Sequence, residues 1–317
     1  MTPRASVVIP TRDRPEMLAG ALASALGQRD VDLEIIVVDD GSSPPVGDSV
    51  SDTERVRVMR HESPRGVSAA RNTGIDTARA PWIAFLDDDD LWAPDKLSAQ
   101  LAAGEAAGAA WVYAGDVTVD EDLRVVSGAP PPPPAEVVGT LSTYNSMPAG
   151  ASNVVVRADA LRTAGPFDPA LKTSEDWDMW IRLARSCGPP AVVPRPLVAC
   201  RMHAGNALPD LDAMVEEPAL LSERHGLSLD PAAPLRRAAW ACLRAGKRIA
   251  AVGYYTRAVR RGDVASIGRA LVAMLHPSSR RGSPHGVRRR GSSPWRDEAE
   301  AWLRSLRPAS ELAGEEV

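Results

Sequence analysis

"SVVIPTRDRPEMLAGALASALGQRDVDLEIIVVDDGS", residues 6–42, decides the fold. Its two ends, "SVVIP" (6–10) and "LEIIVVD" (33–39), are short β-branched runs without polar alternation, as strands buried on both faces require. Between them, "PEMLAGALASALGQ" (15–28) spaces its apolar residues as a helix does, and Pro15 suits the first helical turn. The pattern repeats downstream, where "VRVMRH" (56–61) and "WIAFLD" (82–87) read as strands around the helical "VSAARNTGIDTA" (67–78). Strand, helix, strand, helix predicts an α/β fold with a mostly parallel, doubly wound sheet. In such sheets ligands bind beyond the carboxyl ends of the strands. Both aspartate clusters, Asp39–Asp40 and Asp87 to Asp90, fall there.

The remainder is less regular. "PDKLSAQLAAGEAAG" (94–108) reads as a helix, "AAWVYAGDVTV" (109–119) as a strand, and "APPPPP" (129–134) as a polyproline spacer. "ASNVVVRADALRTAG" (151–165) reads as strand then helix. "SEDWDMWIRLARSCG" (174–188) is a helix with Trp177, Trp180, Ile181 and Leu183 on its buried side and acids in its first turn, where the helix dipole favours them. Beyond about residue 207 the pattern becomes all-helical. The expected division is a main domain over 1–206, with halves at about 1–115 and 116–206, then a helical extension over 207–275. A disordered, basic linker follows over 276–294, and an amphipathic helix with an acidic tail over 295–317.

Composition narrows the function. The net charge of −4 gives no global attraction to nucleic acid. Cys187, Cys200 and Cys242 have no metal-ligand spacing and cannot all pair, which suits a reducing compartment and buried, inert thiols. The N-terminal apolar run is too short for a signal peptide, and no stretch approaches the ~20 apolar residues that spanning a bilayer takes. A cytoplasmic protein, at most peripheral to the inner membrane face, is expected.

Four adjacent aspartates, Asp87 to Asp90, require a positive partner, because each close pair of carboxylates repels by roughly 1 kcal/mol even in water. A calcium loop of the EF-hand type needs Gly near its sixth position and Glu at its twelfth; counted from Asp87 these are Trp92 and Ser98. A phosphoacceptor pocket lacks its Thr/Lys pattern. A merely solvated charge run fits poorly between Phe85–Leu86 and Leu91–Trp92 at a strand end. Binding of a metal–diphosphate remains, with hard oxygen ligands suited to Mg²⁺ or Mn²⁺.

"SVVIPTRDRPEMLAGALASALGQ", "EIIVVDDGS", "GVSAARNTGI", "FLDDDDLWAPDKL", "GASNVVVRADALRTAGPFD" and "SEDWDMWIRLA", in this order, resemble the family 2 inverting glycosyltransferases of the GT-A fold. The resemblance spans roughly residues 6 to 205. It implies a sugar-nucleotide donor, expected to be a UDP-sugar, a divalent metal (Mn²⁺ or Mg²⁺) at an Asp-x-Asp motif, and transfer with inversion to an acceptor hydroxyl of a glycan, lipid-linked sugar, natural product or protein.

By the same resemblance Asp87-x-Asp89 is that motif, with Asp89 the direct metal ligand and Asp87 and Asp88 shared between metal and ribose. Asp90 is assigned instead as a cap or a supporting acid behind the ligands, for the helix that opens at Pro94. Asp40 is expected to accept the N3–H of uracil, Asp39 to bind the donor or hold its loop, and Pro10, Thr11 and Arg12 to flank the base. Arg71 is expected at the base or diphosphate. Asp176 matches the general base, Glu175 orients the acceptor or braces the loop, and His203 reaches the metal or diphosphate. Two rival functions are a nucleotidylyltransferase, which would need a Gly-rich loop where "PTRDRPE" has no glycine, and a non-catalytic sugar-nucleotide-binding scaffold. The tail over 276–307, with Arg280, Arg281, Arg288, Arg289, Arg290 and Arg296 and no acid between 280 and 296, is either a linker or a tether to anionic lipid. In the tether, Trp295, Trp302, Leu303 and Leu306 would enter the interface.

Overall fold

A computed structural model describes residues 2–48, 50, 53–203, 210–275 and 293–306. The first half builds β1 (Ala5–Thr11), α1 (Pro15–Leu26), β2 (Leu33–Asp39), β3 (Val56–Arg60), α2 (Val67–Thr77) and β4 (Trp82–Phe85). β5 (Asp90–Trp92), α3 (Lys96–Ala107), β6 (Trp111–Val119), β7 (Val125–Ala129), α4 (Pro134–Thr140), α5 (Gly150–Asn153), β8 (Val155–Arg157) and α6 (Ala158–Ala164) follow. Then come α7 (Glu175–Cys187), β9 (Ala191–Arg201), α8 (Leu211–His225), α9 (Ala233–Arg244), α10 (Arg248–Arg260), α11 (Ser266–Leu275) and α12 (Pro294–Arg304).

The strands form one sheet in the order β3-β2-β1-β4-β8-β6-β9-β5, with β7 also on β6. β1 and β2 are buried at every position, as their apolar runs require. The parallel order predicted from the sequence holds across β3, β2, β1 and β4. The second half is mixed: β8 runs antiparallel to β4 and β6, and β5 antiparallel to β9, while β9 is parallel to β6. α2 lies so close to β1 that a Cβ on Gly74 would stand 2.2 Å from Val8 Cγ1. Any side chain there would push the helix off the sheet.

β9 was not foreseen from the sequence. Pro194 and Pro196 interrupt its apolar run, and the ladder to β6 shifts register around Gly115, where such residues are tolerated. Asp90 differs from the expected helix cap. It pairs with Cys200 as the first residue of β5, and α3 begins only at Lys96, with Asp95 at its N-cap position. Cys242 is buried as expected, but Cys187 and Cys200 are half-buried; all three are free thiols.

The extension is not set apart after residue 206. Leu221 of α8 joins the core that includes Trp180 and Phe167. Glu217 of α8 accepts bonds from Lys172 N, Thr173 N and Thr173 Oγ1, in the loop that leads into α7. The expected boundary itself, like the basic linker over 276–292 and the acidic tail beyond 306, lies outside the described residues.

α12 corrects the part of the tether reading that placed Trp295, Trp302, Leu303 and Leu306 in a lipid interface. Its apolar face does not face solvent: Ala299 and Leu303 are buried against Leu91, Val117, Val119 and Ala199, with Trp295, Trp302 and Leu306 packed around them. Trp295 crosses β6 and β7 where both strands carry glycine, and a Cβ on Gly115 would lie 2.1 Å from its ring. Trp302 Nε1 donates to Pro196 O at 2.8 Å, and Arg195 joins Glu298 at 2.6 Å. Trp295→Ala should lower unfolding stability by about 2–3 kcal/mol, less than a fully buried tryptophan because the ring is half-buried. Chemical denaturation measures this, and an unchanged midpoint would mean that α12 leaves the sheet in solution. No helix among the described residues is long and apolar enough to cross a membrane.

Candidate active site

Three strands end at the same edge. β1 ends at Thr11 and its loop carries Arg12 to Arg14, β2 ends at Asp39 and its loop carries Asp40 to Ser42, and the segment after β4 carries Asp87 to Asp89. The first two are tied together, since Asp13 N donates to Ser42 Oγ and Ser43 N to Asp13 Oδ1. Gly41 makes the turn at φ 81°, and a Cβ there would meet Pro64 N at 2.9 Å, so only glycine fits.

Asp39 and Asp40 both serve the backbone of these loops. Asp39 accepts from Ser42 N and Val46 N and pairs with Arg60. Burial pushes its pKa up, but these bonds outweigh burial and hold it below the ordinary value. Asp40, the residue expected at the base, receives Arg65 N and Gly66 N at 2.8 Å each and meets His61 Nδ1 at 2.7 Å. His61 continues to Thr73 Oγ1 of α2. Three of the roughly four acceptor positions of a carboxylate are thus used within the chain. Pro10 is walled into β1 opposite Val38. Arg12 is exposed and stands 3.4 Å from Asp13, away from the aspartate run, while Arg14 reaches that run instead.

The positive charge that the four aspartates require is partly supplied by the chain. Arg71 Nη2 meets Asp87 Oδ1 at 2.7 Å. Arg14 Nη1 stands 3.1 Å from both Asp88 Oδ1 and Asp89 Oδ2, and Thr11 Oγ1 donates to Asp88 Oδ2 at 2.7 Å. Asp89 Oδ2 also lies 3.0 Å from His203 Nε2, just beyond β9. Asp90 is withdrawn below the others and accepts from Arg201 N. Burial raises Asp88 to about 6 and moves Asp90 upward too. Asp87 and Asp89 are the most open of the four.

The second wall comes from α7. Arg71 Nη1 binds Glu175 Oε1 at 2.7 Å, so one guanidinium, 3% exposed, joins the segment after β4 to the start of α7. Asp176 turns Oδ1 to Trp177 N and Oδ2 to Asn145 Nδ2 at 3.1 Å. Gly150, at φ 50°, brings its backbone so close that a Cβ there would lie 3.2 Å from Asp176 Oδ2. Burial raises the pKa of both Glu175 and Asp176; Arg71 opposes this in each. The arrangement offers paired carboxylates of raised basicity beside a more open acidic cluster, on opposite sides of one arginine.

Arg14, Asn145, His61 and Glu217 were not singled out from the sequence. Arg14 and Arg12 are equivalent by spacing after β1, and only the turn at Asp13, φ 55°, decides which points inward. Asn145 and Glu217 belong to stretches whose pattern carries no chemical signal.

This sheet order, with acids at the strand ends and a carboxylate helix opposite, is the GT-A arrangement that the sequence resemblance led one to expect. Residues 6–134 match the family model for glycosyl transferase family 2. An uncharacterised glycosyltransferase of Haemophilus influenzae is 27% identical over 202 residues, covering 62% of this chain and 68% of that protein. The succinoglycan biosynthesis protein ExoO of Rhizobium meliloti is 38% identical over 128 residues, 39% of this chain and 34% of its own. The UDP-Glc:alpha-D-GlcNAc-diphosphoundecaprenol beta-1,3-glucosyltransferase WfgD of Escherichia coli is 31% identical over 99 residues, 31% of this chain and 39% of its own. The chain thus spans only about a third of the length of these last two. The fold resembles that of S. aureus TarS residues 1–349, solved in complex with UDP-GlcNAc, at TM-score 0.55 and 14% identity, covering 81% of each chain.

Proposed function

We propose that the chain moves a sugar from a UDP-sugar to an acceptor hydroxyl with inversion at the anomeric carbon, Asp176 taking the hydroxyl proton. The observation that carries this reading is the Arg71 bridge, which sets Asp87 and Glu175, each 2.7 Å from the guanidinium, as two walls of one cleft. Donor and acceptor sides are thereby fixed relative to each other, as in-line displacement demands. The β2 loop, with Asp39 and Asp40 at its root, supports the uracil, and Asp87 and Asp88 face the ribose and diphosphate. On the other wall Asp176 is buried enough to be a stronger base than a free carboxylate. Glu175 braces Arg71 and the acceptor.

The residues also fit a divalent cation. Asp89 and His203, whose Oδ2 and Nε2 stand 3.0 Å apart, are the side chains that would hold it, and a carboxylate oxygen suits a hard cation. Among the described residues no three acidic, histidine or cysteine side chains gather as a cage. Most ligands would therefore come from the diphosphate and water, the usual habit of Mg²⁺. A bound Mn²⁺ or Mg²⁺ would supply charge stabilisation to the leaving diphosphate.

The acceptor belongs in our reading to polysaccharide or lipid-linked precursors, the substrates implied by the names of ExoO and WfgD. The test needs no acceptor: hydrolysis of UDP-glucose, UDP-GlcNAc and GDP-mannose is followed with Mn²⁺, Mg²⁺ or chelator. UDP-sugars should be preferred, turnover should require the metal, and Asp89→Ala should abolish it with the melting temperature kept. Tighter binding of GDP than UDP, or full turnover in Asp89→Ala, would refute the donor or the metal assignment respectively. Once an acceptor is found, a product of retained configuration excludes the mechanism.

A further inference from the structure

We propose that the outer face of α11 docks the protein on an anionic lipid bilayer. This inference stands apart from the catalytic reading. α12 has its apolar side against the sheet, whereas α11 does not. Ile267, Leu271 and Val272 are 49%, 53% and 57% exposed, and Val264, just before the helix, is 68% exposed. At 100° per residue the three helical positions fall within about 140° of arc on one side, and Val264 precedes them in the turn. Ser266 and Ala273, on the opposite side, are buried, and Ala273 packs in the cluster of Ala251 and Tyr255 from α10. Single exposed aliphatic residues are ordinary on a protein surface, but a continuous helical stripe of them marks a contact face.

Charge selects the occupant. From 244 to 275 the chain carries Arg244, Lys247, Arg248, Arg257, Arg260, Arg261 and Arg269 against one acid, Asp263, although the whole protein is at −4. Asp263 is already paired with Arg236 and Arg269. Arg260 and Arg261 are exposed at the turn that leads to Val264, where long basic side chains can reach headgroups while the aliphatic face enters the boundary below them. Two copies meeting on this face would bring like charges together. An anionic bilayer supplies the opposite charge and an apolar layer at once.

The full chain is tested by co-sedimentation with vesicles of phosphatidylcholine alone and of phosphatidylcholine with phosphatidylglycerol. Binding should need the anionic lipid, weaken with salt, and fall by about tenfold or more in the doubly substituted Ile267→Ser, Leu271→Ser chain, as expected when an interfacial helix loses apolar area. Both replaced side chains are exposed, so melting temperature and UDP-sugar hydrolysis should not change, and hydrolysis measured in parallel separates failure here from failure of the catalytic reading. The proposal is overturned if the wild-type chain stays with the supernatant, or if the substituted chain binds as well. It is equally overturned if the substitutions abolish a concentration-dependent self-association of the free protein, which would make this a dimer face.

Discussion

Asp176→Asn lowers turnover by roughly 10²–10⁴, the range for one acid–base group, and leaves UDP affinity unchanged. The amide keeps the shape of the side chain and can still accept from Trp177 N. Its NH₂ then faces the NH₂ of Asn145, whose amide can rotate to offer oxygen at the expense of its bond from Met147 N. Local geometry thus survives, but no group remains to take the acceptor proton. The pH profile separates this loss from mere distortion. Asp176 must be ionised to act, and burial raises its pKa, so wild-type turnover should fall on acidification at a pH above the ordinary carboxylate range. Residual turnover of the variant should lack that acid limb. Wild-type rates in the variant would remove Asp176 from the base role.

Arg71→Met should cost about 3–5 kcal/mol of stability, the penalty for leaving buried charge without its partner. An exposed pair would cost at most about 1 kcal/mol; the 3% exposure of Arg71 places it in the first class. The loss should depend on pH with a definite sign. Glu175 already has a folded-state pKa raised by burial, with Arg71 opposing the rise, and without Arg71 it rises further. Such a carboxyl favours the folded state below its unfolded pKa and loses that contribution as pH climbs through the folded value. The variant should therefore lie nearest to wild type at about pH 5 and furthest from it at about pH 8. Denaturant midpoints at the two pH values measure the gap. A deficit under about 1 kcal/mol, or one equal at both, would show that Glu175 and Asp87 find other partners.

The half of the fold that rests on repeated local pattern was legible in the sequence. β1, α1, β2, β3, α2 and β4 all lie where apolar runs of strand or helix period place them. β9 was hidden because its prolines break the run, and only its long-range register with β6 makes it a strand. The acids at the strand ends were visible because four neighbouring carboxylates at such a place have few bland explanations. Which arginine answers them was not, since that depends on the turn at Asp13. The amphipathic pattern of α12 was equally visible, but an apolar stripe does not say whether lipid or the protein's own sheet covers it. The glycines at 115 and 128 that admit Trp295 are far away in the chain.

That last contact also sets the order in which the molecule can be finished. Trp295 Nε1 donates to Asp116 O, 179 residues earlier, and Trp302 seals β9 from a distance of 106 residues. Contacts so remote in sequence form late, because the intervening chain must be ordered first. While the polypeptide is being made, β6, β7 and β9 must wait with part of an apolar face uncovered until residues 294–304 have emerged. A ribosome that stalls, or a protease that cuts, before residue 293 would therefore leave not a trimmed enzyme but a sheet with a bare flank, the kind of surface that chaperones and degradation machinery recognise.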